Sequence, residues 1–85
     1  MKNEDFEHIR RMTSRQQIIV FIVLAEFAKE NKKGEFVINL QASMEDVVDM
    51  SHLSEGTVRE ALKFLLLDEH VSLIEGENYL IHTKT

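Results

Sequence analysis

Apolar positions along this chain follow two rhythms, helical and alternating, and these divide it into elements. From Met44 to Leu66 the period is helical. Met44, Val47, Val48 and Met50 share one face, the pattern breaks at Ser51-His52, and Leu53 supplies one apolar residue in between. Val58, Ala61, Leu62, Leu65 and Leu66 then share a second face. Ser43 and Ser54 precede these runs as side-chain acceptors suited to capping a helix start. Residues 43–71 therefore predict two short amphipathic helices joined by a turn of about three residues. His52 falls in that turn, where a polar residue tolerating positive φ fits.

Upstream, Thr13 or Ser14 caps a longer helix predicted from Arg15 to about Lys32. It ends at Gly34, the residue that most easily takes the left-handed conformation, and Lys29, Lys32 and Lys33 in its last turn suit the helix dipole. Ile18, Ile22 and Ala25 fall together on this helix, flanked by Phe21, Leu24 and Ala28, while Val20 and Phe27 widen the apolar arc. So wide an arc needs cover. Either residues 1–12, with Phe6, Ile9 and Met12 at three-residue spacing, fold back over it, or a second subunit does. Residues 1–13 read as an arm or a short helix, and 14–83 as one domain.

Glu35 to Leu40 is β-branched and alternating, which predicts a strand. Val71 to Ile74 and Tyr79 to Ile81 predict two more, bracketing Glu75-Gly76-Glu77-Asn78 as a hairpin turn. Phe64 and Leu67 lie off the core face of their helix; the hairpin is expected to cap them, and without it they would add to an exposed apolar patch. The order helix, strand, helix, turn, helix, hairpin predicts a mainly α fold with a small β-sheet, the winged helix-turn-helix arrangement.

Composition narrows the function. The chain has 85 residues and no cysteine, which allows one domain and excludes disulfides, thiolate metal sites and thiol chemistry. The longest apolar run, Ile18 to Ala25, is far short of the ~20 residues that span a bilayer, and no secretory leader pattern opens the chain. A cytoplasmic protein without a membrane partner is expected. His8, His52, His70 and His82 lack metal-ligand spacing, Asp46 and Asp49 read as solvated, and no phosphate-cradling glycine loop occurs. No enzyme, metal or cofactor is expected.

Charge complicates the rest. The net charge is −5, but residues 1–33 carry seven basic side chains against five acidic, and residues 34–85 three against ten. The half holding the predicted helix pair is thus the acidic half, whereas nucleic-acid affinity comes largely from Lys and Arg.

The strand "FVINL", then Val47, Asp49, Met50, Leu53 and Ser54, then "TVREALKFL" from Thr57 to Leu65, resemble the DNA-binding domain of the cyclic-AMP receptor/Fnr family over residues 14–83. "TVREALK" also resembles the recognition helix of the GntR family. The resemblance implies a winged helix-turn-helix that binds double-stranded DNA, here without the usual sensor domain. On a DNA-binding reading Ser54 and Thr57 would contact phosphate at a helix N-terminus, Gly56 would let the backbone approach closely, and Arg59 and Lys63 would read bases or phosphate, with Arg10, Arg11 and Arg15 as candidate compensating phosphate contacts, in a homodimer. Where the receptor-type pattern carries base-reading arginine and its neighbours, this chain has Glu55, Gly56 and Glu60, and glutamate can only accept, chiefly from cytosine. A second reading follows from those residues. Glu55, Glu60, Glu75 and Glu77 would form an acidic face that docks on a basic protein partner, such as another regulator or the transcription machinery.

Overall fold

The computed structural model describes residues 14–82. Among these residues three helices and a four-stranded antiparallel sheet enclose one core, a mixed α and β fold. Helix α1 spans Arg15–Phe27 and is capped by Ser14, whose Oγ accepts from the Gln17 amide at 3.4 Å. Strand β1 (Lys29–Glu30) follows, then β2 (Phe36–Asn39), α2 (Leu40–Ser51), α3 (Glu55–Leu67), β3 (Val71–Glu75) and β4 (Asn78–Ile81). The sheet order is β1-β2-β4-β3.

The core takes Val20, Phe21, Val23 and Leu24 from α1, Leu40, Met44 and Val47 from α2, and Val58, Ala61, Leu62 and Leu65 from α3. Ile38, Val71, Tyr79 and Ile81 close it from the sheet. The buried stripe on α1 is rotated from the expected one: Ile22, placed at its centre by periodicity, is 40% exposed. On a helix apolar over most of its circumference the period alone does not choose the face, and packing against α2 and α3 does. Whether residues 1–12 cover Ile22 lies outside the described residues.

The long helix ends early. Lys29 and Glu30 leave it to pair with Val37 and Phe36, adding a fourth strand that the alternation of polar and apolar residues did not reveal. Asn31 makes the turn. Its Oδ1 accepts from the amides of Lys33 and Glu35, each at 2.9 Å, while Gly34 takes φ +79° inside this turn and not at a helix end. None of Lys29, Lys32 and Lys33 therefore stands in the last turn of α1.

The cap of α2 also differs. Asn39, the last residue of β2, accepts from the Ala42 amide at 2.9 Å through Oδ1, so α2 starts at Leu40 and Ser43 lies inside its first turns. Asn39 reaches helix and sheet at once, because its Nδ2 donates to Asn78 Oδ1 at 2.9 Å. The α2–α3 turn runs as expected: Ser54 caps α3, and His52 takes φ 59° in the left-handed region. Buried Ser51 fixes this turn, its hydroxyl donating to the Val48 carbonyl at 3.3 Å and accepting from the Leu53 amide at 3.2 Å.

The hairpin β3–β4 closes through Gly76-Glu77, with φ +55° at Gly76. It does not cap the outer side of α3. Phe64 and Leu67 are 44% and 69% exposed, since the hairpin approaches α3 beside Arg59, on a different flank of the helix. No helix among the described residues is long and apolar enough to cross a membrane.

Candidate functional site

The outward half of α3 is the surface to which most singled-out residues come. Ser54 caps it, accepting from the Thr57 amide at 3.2 Å, and donates its own proton to Thr57 Oγ1 at 2.9 Å. That leaves the Thr57 hydroxyl proton for an outside acceptor. Glu55, Gly56, Arg59, Glu60 and Lys63 are all exposed. A Cβ built on Gly56 meets nothing within 4 Å, so no packing inside the chain calls for glycine there.

Arg59 is exposed but engaged. Its Nε donates to Glu55 Oε2 at 3.1 Å, one helical turn back, and its Nη2 lies 3.5 Å from Glu77 Oε1 in the hairpin turn. The hydrogen bond it donates to Glu55 is the largest influence and raises its pKa above the ordinary arginine value; desolvation, next in size, lowers it, and the charges of Glu77 and Glu55 raise it further. Glu77 is itself fixed: its carbonyl accepts from the Leu40 amide at 2.9 Å, at the start of α2. The same carboxylate reaches Tyr79. Burial foremost, and the negative charge of Glu77, push the Tyr79 phenol above its ordinary value, while the Arg59 charge pulls the other way.

The structure thus brings together Ser54, Glu55, Gly56, Thr57, Arg59, Glu60, Lys63 and Glu77 around α3 and the hairpin turn. It places Lys32 and Lys33 apart from them. The β2–β4 ladder pairs Phe36 with Ile81 at one end and Asn39 with Asn78 at the other. Lys32 and Lys33, in the turn before Phe36, lie beyond the first end, and Glu77 beyond the second, about 10 Å of ladder apart. Arg15 is exposed in the first turn of α1, and Arg10 and Arg11 lie outside the described residues. Lys63 is exposed and forms no ion pair among the described residues.

One pairing and one residue escape sequence reasoning about the site. Glu55 and Arg59 stand four apart on a helix, a pair legible from spacing alone. The second carboxylate on Arg59 comes from a different element, and nothing in the sequence links Glu77 to it. Asn39 is the residue, although an asparagine just ahead of an apolar helical run carries a capping signal. Among the described residues no group of three or more His, Cys, Asp or Glu could hold a metal ion. Comparison with protein-family models, curated proteins and solved structures finds no match to this chain.

Proposed function

We propose that this protein is a small cytoplasmic regulator of winged helix-turn-helix type that binds double-stranded DNA as a homodimer, with α3 entering the major groove. The observation that carries this reading is the outward half of α3. It exposes Ser54, Glu55, Gly56, Arg59, Glu60 and Lys63, begins with two hydroxyls at a helix N-terminus, and holds a glycine with open space around it. Helix N-termini and hydroxyls suit phosphate, a bare backbone permits close approach, and Arg59 and Lys63 are the groups able to read base edges or phosphate. The order of elements, with the hairpin beside α3, agrees with that architecture. Exposed Ile22 on α1 is an apolar position that a second subunit would cover.

A salt titration on duplex fragments tests this. Binding should weaken as salt rises, with a shallow slope because few cations face the groove. Arg59→Ala should lose about ten- to a hundred-fold in affinity if Arg59 makes a bidentate base contact. A folded protein that leaves duplex DNA unbound even at low salt ends the reading.

One observation favours a different use of the same face. Arg59 is neutralised by two carboxylates, and Glu60 and Glu75 add to the acidic surface while Lys32 and Lys33 lie at the far end of the sheet. Such a face would dock on a basic protein partner. Co-purification compared between wild type and Glu55→Lys/Glu60→Lys separates the two: an unchanged partner set rules this face out.

A further inference from the structure

We infer that Glu77, aided by Glu55, gates Arg59, so that the hairpin turn decides whether the arginine of α3 is available to a nucleic-acid acceptor. The inference rests on the DNA reading above and adds a residue to it that lies outside the helix.

Three observations carry it. Arg59 is bound on two sides, by Nε to Glu55 at 3.1 Å and by Nη2 to Glu77 at 3.5 Å, yet its side chain stays 45% exposed. It is accessible to a ligand while its charge is already met. Next, the two carboxylates are held differently. Glu55 is 58% exposed and meets Arg59 from one turn back on the same helix, whereas Glu77 is 32% exposed and reaches Arg59 from another element, with its backbone tied to Leu40. The adjacent Asn78 is tied to Asn39, so the turn holding Glu77 is clamped to the start of α2 from two residues. Finally, among the described residues Arg59 is the cation paired with Glu77.

A phosphate or a guanine edge must therefore compete with a carboxylate for the same donors. Any anion brought to Arg59 also meets the Glu77 charge at close range. In a low-salt encounter this repulsion lowers affinity for every sequence, and it falls hardest on complexes that use Arg59. Neutralising Glu77 removes one negative charge from the contact zone. That should steepen the salt slope by about one unit and raise affinity roughly five-fold near physiological salt.

The test is a double-mutant cycle on duplex binding with wild type, Glu77→Gln, Arg59→Ala and the double variant. The single tyrosine provides a second readout that needs no DNA. In Glu77→Gln the phenol should titrate lower than in wild type, and in Arg59→Ala higher, which establishes that the three side chains communicate in solution. The expected result is tighter binding by Glu77→Gln that vanishes when Arg59 is already alanine. Binding by Glu77→Gln where wild type binds none supports the gate when the double variant does not bind, and overturns it when the double variant binds as well. An equal gain with and without Arg59 overturns it, because general repulsion then explains the effect, and so does no gain at all. If neither wild type nor Glu77→Gln binds any duplex, the DNA reading itself has failed and the gate with it; if wild type binds and Glu77→Gln matches it, only the gate has failed.

Discussion

Asn39 offers a test of where α2 begins, and of what clamps the hairpin turn. In Asn39→Ala two contacts are lost. The Oδ1 cap on the Ala42 amide, at 2.9 Å, belongs to a class of interaction worth about 1 kcal/mol. The Nδ2 bond to Asn78, also 2.9 Å but solvent-exposed, adds roughly 0.5 kcal/mol, the low end for a hydrogen bond. The total is ~1.5 kcal/mol. A domain of this size has a urea m-value near the low end of ~1–3 kcal/mol/M, so the midpoint should fall by about 1–1.5 M. Ser43→Ala is the control. Ser43 sits within α2 and caps nothing, and alanine favours a helix interior, so its midpoint should stay or rise slightly. Asn78→Ala keeps the cap and removes the acceptor of the Nδ2 bond, which divides the two contributions. Urea unfolding at one fixed protein concentration measures all three. A Ser43→Ala loss larger than that of Asn39→Ala would refute the assignment of the cap.

Three further predictions follow from single positions. Gly56→Ala should raise stability by ~0.5–1 kcal/mol, since a Cβ there meets open space, and should weaken duplex binding several-fold; unchanged binding would mean the backbone makes no close approach. His52→Gly should be at least as stable as wild type, whereas His52→Val should lose ~1–2 kcal/mol, because φ 59° crowds a branched side chain; equal urea midpoints for the two would contradict this. The Tyr79 phenol should titrate above the ordinary value of 10.0, read by phenolate absorbance of the folded protein. The folded state then holds this proton more tightly than the unfolded chain, so the associated stability is complete below pH 10.0 and declines as pH rises through the folded value. A midpoint at or below the ordinary value would contradict the burial argument.

Most of the architecture was legible in the pattern of apolar positions, and the reason differs by element. In α3 the residues Val58, Ala61, Leu62 and Leu65 form one stripe at helical spacing, and Ser54 marks its start, although Phe64 and Leu67 carry apolar surface beyond it. The hairpin announces itself by a glycine between two alternating runs. Where the apolar arc is wide the period stops discriminating, which is why Ile22 was expected inside and stands outside. Short polar strands carry no pattern: Lys29-Glu30 is a strand only because β2 offers it a free edge.

The sequence by itself determined the elements around α3, the left-handed turn at His52, and a charge balance that sets the acidic half against the helix pair. It also placed Glu55 within reach of Arg59, because four residues on a helix are neighbours by geometry. Only the tertiary structure decided that Asn39 and not Ser43 starts α2, that Lys32 and Lys33 lie away from α3, and that Glu77 is the second partner of Arg59. Each of these depends on strand register and helix packing, which join residues far apart in the chain. Local periodicity contains no information about such pairs until the core has brought their elements together.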